Sequence, residues 1–284
     1  MRRAIIVIAV LVSALVIASL GVGEVLSAPA KRTVGLPPAE LAAETITLNG
    51  GVISGWFSRG QPGLGAVLLL HGVRSDRRQM IERSKFLHAA GYSVLLVDLP
   101  AHGESGGDRI TLGYRETAGV RAAWRFLNDT LPAERTAVIG VSLGAASLVL
   151  ADVSPAPNAV VLESMYPTIN DALADRLSLH LGPFGPVFAP VLLWQLPIRT
   201  GVSPELLRPI DHLASLHAPV LIASGTEDRH TTVAETKRLF DAAADPKELW
   251  LVEGAAHVDL YNYNPNVYKQ KVCGFLLRHL RRAG

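Results

Sequence analysis

The sequence predicts an α/β fold with an eight-stranded, mostly parallel sheet that is flanked by helices and carries a small cap. Six continuous apolar runs alternate with longer helical patterns, which is typical of buried parallel strands. Two β-rich runs around Asn49, Gly50 and Gly51 precede them and predict a hairpin. Residues 166–213 are too rich in proline for one regular helix and too apolar for an ordinary loop, so we interpret them as the cap.

The elements are expected in the following order along the chain. After the hairpin, strands are predicted at residues 66–70, 93–97, 137–141, 159–162, 220–223 and 249–252. Helices are predicted at residues 77–90, 114–128, 143–152, 233–244 and 265–282. The cap is inserted after the strand at 159–162.

Composition favours a globular protein and excludes several functional classes. The chain has 284 residues, of which 49% are hydrophobic and 18% charged, so it can bury a substantial core. Its net charge is +2 and it has no dense basic run, so we expect no nucleic-acid partner. Cys273 is the sole cysteine and the histidines lack ligand spacing, so no disulfide, metal or other cofactor is expected.

Residues 1–30 predict a targeting segment. Arg2 and Arg3 precede an uncharged apolar run at residues 4–22, and small residues before residue 31 suit cleavage of a signal peptide. The apolar run is also just long enough to remain as a membrane anchor, and both alternatives stay open. Either one exports the folded domain, which is then secreted, periplasmic or membrane-anchored. Residues 31–43 are interpreted as a linker and residues 44–284 as the domain.

Residues 140–144, Gly-Val-Ser-Leu-Gly, form the pattern G-x-S-x-G between a predicted strand and a predicted helix. A serine on such a turn is exposed for nucleophilic attack, and its small neighbours allow the backbone to turn sharply. The serine also needs a base and an acid that orients the base. Asp228 and His257 each follow a predicted strand. We therefore predict a catalytic triad of Ser142, Asp228 and His257.

Glu227 and His230 lie close in sequence to Asp228 and are the alternative candidates for the acid and the base. Glu227 adjoins Asp228, but two successive residues cannot both face the histidine, and His230 is interpreted as an exposed loop residue.

The backbone is expected to complete the predicted site, because a tetrahedral oxyanion needs two N–H donors. We expect them from the backbone of Val73 and Leu143, with Gly72 permitting close approach to the substrate.

The remaining candidates lie in the cap and in a charged segment. The charged cluster at residues 74–78 is interpreted as a solvated helix start rather than a carboxylate-binding site. Apolar cap residues are expected either to line a hydrophobic substrate pocket or to pack the cap: Phe184, Phe188, Leu192, Leu193 and Trp194.

Five motifs together resemble the α/β-hydrolase superfamily: LLLHG at 68–72, VDLPAHGESGG at 97–107, GVSLGA at 140–145, SGTED at 224–228 and GAAH at 254–257. Within it, the chain is similar to the Bem46-like and serine aminopeptidase-like proteins with a small cap. The resemblance covers about residues 44–280 and implies the hydrolase fold and its serine triad. Ser142 in place of an aspartate argues against dehalogenase and epoxide-hydrolase chemistry. Ala101 replaces a family glycine, which weakens the choice of branch.

We therefore expect an exported serine hydrolase that cleaves a carboxylic ester through an acyl-enzyme, without a cofactor. The alternatives are a thioesterase or lipase that acts on membrane-associated acyl groups, a peptidase of the aminopeptidase-like branch, or a non-catalytic ligand-binding protein with this fold.

Overall fold

The computed structural model describes residues 2–281 and contains the predicted eight-stranded sheet. The strands are β1 (Glu44–Leu48), β2 (Ile53–Ser58), β3 (Ala66–Leu70), β4 (Ser93–Val97), β5 (Thr136–Val141), β6 (Ala159–Glu163), β7 (Val220–Gly225) and β8 (Lys247–Val252). Their order across the sheet is β8-β7-β6-β5-β3-β4-β2-β1. β2 runs antiparallel to β1 and β4, and the other neighbours are parallel. The predicted fold class is thus confirmed.

The helices lie close to their predicted positions. They are α1 (Arg2–Ser27), α2 (Ile81–Ala89), α3 (Glu116–Thr130), α4 (Leu143–Ala151), α5 (Ile169–Leu181), α6 (Ala189–Thr200), α7 (Val233–Ala242), α8 (Leu260–Tyr263) and α9 (Pro265–Leu280). A 3-10 turn at Arg77–Met80 precedes α2, which therefore begins later than predicted. The last helix was expected to reach Arg282, which lies outside the described residues.

The core lies on both faces of the sheet, which explains the continuous apolar runs. Every residue of β3, β4 and β5 is buried. Leu68 of β3 packs in the cluster that contains Trp124 of α3, whereas its neighbour Leu69 packs with Leu87 of α2 and Phe275 of α9. Successive strand residues point to opposite faces, so a sheet covered on both sides needs apolar residues at every position.

The cap consists of α5 and α6, joined by a 3-10 turn at Gly182–Phe188. Among the described residues, the stretch Ile169–Thr200 is long and apolar enough to cross a membrane, by length and composition alone. Ile169 and Leu173 of α5 share a buried cluster with Leu192 and Leu196 of α6. The stretch is therefore folded back on itself against the domain and forms a two-helix cap.

The N-terminal helix α1 runs alongside the cap, and the chain that follows it packs on the domain. The Gln195 side chain of α6 donates a hydrogen bond to Ser19 Oγ at 2.7 Å. Residues Ala30–Lys31 then pair in parallel with His102–Gly103. Within the predicted linker, Leu41 is fully buried. Residues 31–43 are thus part of the folded structure rather than a free tether.

Candidate active site

The three predicted triad residues follow the carboxyl ends of strands in one parallel set. Ser142 directly follows β5, Asp228 lies just after β7, and His257 lies just after β8. Strands β5 to β8 are adjacent in the sheet and parallel. Because parallel strands end at the same edge, this topology brings all three residues to that edge.

Ser142 carries the backbone strain of the site. Its φ of 48° and ψ of −106° lie in a region that residues with a side chain rarely adopt. The flanking glycines provide space instead: a Cβ on Gly140 would lie 2.6 Å from the Ala145 nitrogen, and one on Gly144 would lie 2.6 Å from the Leu70 carbonyl oxygen. The G-x-S-x-G pattern is therefore required by the close packing of β3, β5 and α4.

Asp228 and His257 are held together by a direct hydrogen bond. His257 Nδ1 lies 2.8 Å from Asp228 Oδ2, and Asp228 is only 4% exposed. The other carboxylate oxygen accepts the backbone N–H groups of His230 and Thr231 at 2.8 and 2.9 Å. Glu227 is exposed to solvent. Of the two neighbouring acids, Asp228 is the one that faces the histidine.

The surroundings of Asp228 keep it ionised. Burial alone would raise the pKa of this carboxyl, but the hydrogen bond and charge of His257, together with the backbone donors, lower the pKa below its usual value. An ionised Asp228 fixes the proton of His257 on Nδ1. The Nε2 atom is then free to accept a proton.

The structure does not complete the triad with a hydrogen bond from the serine. Among the described residues, His257 is bonded to Asp228, while Ser142 lines the adjacent cleft without bonding to the histidine. Catalytic hydrogen bonds are often long in unliganded enzymes and shorten when substrate binds.

His230 differs from its sequence-based interpretation as an exposed loop residue. It is half-buried, and its ring centroid lies 4.7 Å from that of His257. Burial, and then the charge of His257, lower the pKa of His230. It packs against the predicted base as a neutral ring.

Val73 and Leu143, the predicted oxyanion donors, both line the cleft that contains Ser142. Leu143 is the first residue of α4, where backbone N–H groups have no partner within the helix. A Cβ on Gly72 would meet no protein atom closer than 3.5 Å, and the role of this glycine in close approach to the substrate stays a prediction. The Gly72 N–H donates to Gln79 Oε1 at 2.7 Å, which fixes the loop that carries Val73.

His71, directly after β3, fixes the same loop, the one that carries Val73. It is fully buried, and burial lowers its pKa to about 4. Its Nε2 accepts the Leu99 N–H at 3.0 Å, so its proton lies on Nδ1, which is 2.7 Å from the Gly72 carbonyl oxygen. This neutral histidine ties the loop after β3 to the loop after β4.

The cleft beside Ser142 is open to solvent and has a mainly apolar lining. Its side chains come from the end of α1, the segments after β3, β4, β5 and β6, the start of α4, and α5: Leu26, Val73, Arg74, Leu112, Ser142, Leu143, Tyr166, Ile169, Ala172, Leu173 and Arg176. Two of them, Arg74 and Arg176, are cationic. The wall therefore comes largely from segments that sequence patterns did not single out.

The predicted pocket residues of the cap do not line this cleft. Phe184 and Trp194 are 73% and 69% exposed on the outside of the cap. Leu192 packs between the cap helices, and Phe188 and Leu193 are likewise absent from the cleft lining. The physical reason is that α5 covers the serine, whereas α6 lies behind α5.

The charged segment at residues 74–78 is also not a simple solvated helix start. Arg77 is fully buried and forms ion pairs with Asp98 and Glu104, while its guanidinium lies 4.7 Å from the Trp56 ring centroid. This arginine binds the protein's own carboxylates and joins the loop after β3 to the loop after β4.

A second buried network, which sequence reasoning missed, supports the histidine loop. Arg83 of α2 pairs with Glu163 at 2.6 Å and with Asp259 at 2.7 Å. The Tyr268 hydroxyl donates a hydrogen bond to Glu163. Asp259 lies two positions beyond His257, so the network holds the His257 loop against the end of β6. The one signal in the sequence was an acid that ends the apolar run of β6.

Within residues 2–281, no group of three or more His, Cys, Asp or Glu side chains is arranged to hold a metal ion. The chemistry available at this edge is that of a serine, an oriented imidazole and backbone N–H donors.

Known proteins resemble this chain over most of its length. It is 33% identical over 215 residues to Rv2307c of Mycobacterium tuberculosis, covering 75% of this chain and 70% of that relative. It is 26% identical over 218 residues to YqkD of Bacillus subtilis, covering 74% and 70% of the two chains. It is similar in structure to the Pyrococcus furiosus esterase Pf2001, with 26% identity, a TM-score of 0.71 and coverage of 90% and 98%.

The sequence pattern of one protein family also matches. The family described as "Alpha/beta hydrolase family" matches residues 67–268, a span that contains all three triad candidates. With the strand order and the strained serine turn already in place, this match shows that the chain belongs to the alpha/beta hydrolase family.

Proposed function

We propose that this protein is a serine esterase that hydrolyses a carboxylic ester through Ser142, His257 and Asp228. The observation that carries the proposal is the hydrogen bond between His257 and the buried Asp228, at the same sheet edge as the strained Ser142 turn. A serine hydroxyl is a weak nucleophile unless an oriented base removes its proton.

In the proposed reaction, Ser142 Oγ attacks the ester carbonyl carbon as its proton passes to His257 Nε2. The oxyanion that forms accepts hydrogen bonds from the N–H groups of Val73 and Leu143. His257 then protonates the leaving alcohol and an acyl-serine remains. Water, deprotonated by the same histidine, releases the acid and restores Ser142, while Asp228 stabilises the charged imidazole.

Two further observations support an ester with an apolar group. The lining of the cleft is mainly apolar, which suits an acyl chain or a hydrophobic alcohol. The similar Pyrococcus furiosus protein is an esterase. We further propose that the N-terminal segment exports the domain. The Bem46-like branch stays a prediction.

The proposal is tested by the hydrolysis of p-nitrophenyl esters by the full-length chain. We expect Ser142→Ala and His257→Ala to lower kcat/KM by roughly 10³-fold or more. Ser178→Ala is the matched control, because Ser178 lies on α5 but does not line the cleft. Thioesters and aminoacyl-p-nitroanilides, assayed in parallel, separate the esterase from a thioesterase and a peptidase. A folded wild type that turns over none of these substrates would contradict the proposal.

A further inference from the structure

The end of α1 is built into the folded domain. Ser27 and Ala30 are only 3% and 7% exposed. The Ala30 N–H donates to the Ala101 carbonyl oxygen at 2.8 Å, and the Ile110 N–H donates to the Ser27 carbonyl oxygen at the same distance. The backbone that a signal peptidase would cut, after Ala28 or Ala30, thus lies between two segments bonded to the domain.

Charged side chains of the domain and the cap hold the same turn of α1. Glu24 pairs with Arg109 at 2.5 Å and with Arg199 of α6 at 2.7 Å. Arg74, beside the cleft, donates to the Val25 carbonyl oxygen at 2.8 Å. Cations at a helix C-terminus stabilise its unpaired carbonyl groups and the negative end of its dipole. These contacts fix the position and rotation of the last turns of α1.

The helix approaches the cap closely at a glycine. A Cβ on Gly23 would lie 2.7 Å from Gln195 Oε1 and 2.8 Å from Arg199 Nε. The absence of a side chain at this position therefore lets α1 pack directly against α6.

Leu26 occupies the point where two cavities meet. It lines the cleft of Ser142, and it also lines a smaller cavity between α1, α5 and α6, which has room for little more than one water molecule. Leu112 and Leu173 are the other residues that line both cavities. These three leucines form the partition between the serine and the inner cavity.

We propose that α1 is retained in the mature protein and that Leu26 limits the length of the acyl chain that reaches Ser142. The inner cavity lies behind the partition, so a chain longer than the cleft would extend past Leu26 toward it. The limit on acyl length rests on the esterase function proposed above, whereas the retention of α1 does not.

Retention is tested on the full-length chain, with a C-terminal tag, purified separately from the membrane fraction and from the soluble and exported fractions. Intact-mass measurement is expected to give a chain that still contains Glu24 and Leu26. A mature chain that begins at Pro29 or Lys31 would overturn the proposal, since it would have lost the cleft wall.

The limit on acyl length is tested with p-nitrophenyl esters from four to twelve carbons. Leu26→Ala is expected to raise the ratio of kcat/KM for long over short chains about tenfold, and Leu26→Phe to lower the ratio, since a few methylene groups in a pocket change specificity by this order. Val25→Ala is the matched control, because Val25 adjoins Leu26 but is 60% exposed. A ratio unchanged in both Leu26 variants would refute the limit.

Fluorophosphonate labelling of Ser142 in the same samples separates the two proposals. If the Leu26 variants are labelled but keep the wild-type preference for ester chain length, only the role of Leu26 is refuted, and the esterase function stands. If the folded wild type is not labelled, the proposed esterase function fails first.

A different observation concerns the outer surface of the cap. Val187, Val191, Trp194 and Ile198 are 72%, 45%, 69% and 69% exposed. The last three recur at helical spacing along α6, so they share one side of it. We call these four residues the α6 face. Contiguous exposed apolar surface of this kind usually marks an interaction site.

The position of α1 beside the α6 face indicates what covers this face. α1 lies beside α6 through the Ser19–Gln195 hydrogen bond, and Ile17 and Leu20 of α1 are 70% and 44% exposed. Toward its N-terminus, α1 continues into the apolar run that the sequence predicts as a membrane segment. We infer that the α6 face lies on the lipid bilayer that α1 enters, with Trp194 at the interface, where tryptophan is favoured.

Trp194 itself reports this contact. Full-length protein is reconstituted in vesicles that contain phosphatidylcholine brominated on its acyl chains, which quenches only nearby tryptophans. Trp56 and Trp124 are each 1% exposed, and Trp250 is half-buried in strand β8. We therefore expect quenching of roughly the share of emission that Trp194→Phe removes. Emission that is unchanged by brominated lipid would overturn the inference. A detergent-free dimer that shields Trp194 would assign the face to a second copy of the chain instead.

Discussion

Asp228 is the residue whose surroundings are most specific to the proposed chemistry. It is buried, accepts two backbone N–H groups and bonds His257 with its other oxygen. These contacts would orient either a carboxylate or an amide, but only the carboxylate stabilises a charged imidazole.

Asp228→Asn is therefore expected to leave the fold intact and to lower kcat by roughly 10³- to 10⁴-fold. Steady-state ester hydrolysis and circular dichroism check the two parts. Glu227→Gln, at the exposed neighbouring acid, serves as the control and should change kcat less than twofold. Similar losses in the two variants would contradict the assignment of the acid.

Gly144 tests the packing that forces the serine turn. An alanine methyl there would lie 2.6 Å from the Leu70 carbonyl oxygen and 2.8 Å from that of His71, so β3 or α4 must move. We expect Gly144→Ala to lower the free energy of unfolding by about 1–3 kcal/mol and to abolish most ester hydrolysis. Gly274→Ala in α9 is the control, because the added methyl would lie 3.7 Å from its nearest neighbour, the flexible end of Arg278. Normal activity and stability in Gly144→Ala would show that the turn does not depend on this contact.

At the scale of elements, Arg83 joins α2 to the end of β6 and to the histidine loop. Its guanidinium is buried with Glu163 and partly buried with Asp259. Removing the arginine leaves a buried carboxylate without its cation, and breaking such pairs costs about 3–5 kcal/mol. Arg83→Met is expected to lower the free energy of urea unfolding by that amount, and to lower kcat, because the His257 loop loses its anchor. Arg125→Met, on the exposed side of α3, should change neither.

The contact between cap helix α5 and α7 contains two acids, Asp175 and Glu235. Asp175 Oδ2 is buried and has no donor among the described residues while both groups are ionised. Burial, and then the hydrogen bond with Asp175, raise the pKa of Glu235 to about 7 from an ordinary value of 4.5. A proton held by Glu235 supplies the missing donor.

This pair predicts a pH dependence of stability. Because the pKa of Glu235 is higher in the folded chain, the folded state holds a proton that the unfolded state releases. The contribution of Glu235 to the free energy of unfolding is complete below about pH 4.5 and is lost as the pH rises through about 7. From pH 6 to pH 8, the Tm of the wild type should therefore fall by a few degrees relative to that of Glu235→Gln, which lacks this titration but keeps those of the buried histidines. An equal slope in the variant would exclude Glu235 as the cause.

Elements buried on both sides were predictable from the sequence, because only a covered strand such as β3 or β5 is apolar throughout. The cleft wall was not. Both cap helices contain several large apolar residues, so composition cannot tell that Leu173 faces the serine cleft and Trp194 faces outward. Arg77 was misread for a related reason: its carboxylate partners are distant in sequence, so their approach depends on the fold.

For the whole molecule, the structure joins the N-terminal helix, the cap and the sheet edge around one cleft. Leu26 of α1, Leu173 of α5 and Ser142 at the end of β5 all line it. The segment that a signal peptide would lose is therefore part of the site, and experiments on activity should use the complete chain.

The activation of Ser142 by His257 and Asp228 is tested first by fluorophosphonate labelling of the full-length protein, followed by mass spectrometry of the labelled peptide. We expect one label per chain, on Ser142, which is lost in the folded Ser142→Ala and His257→Ala variants. A folded wild type that takes no label, or takes it on another serine, would show that Ser142 is not the activated nucleophile.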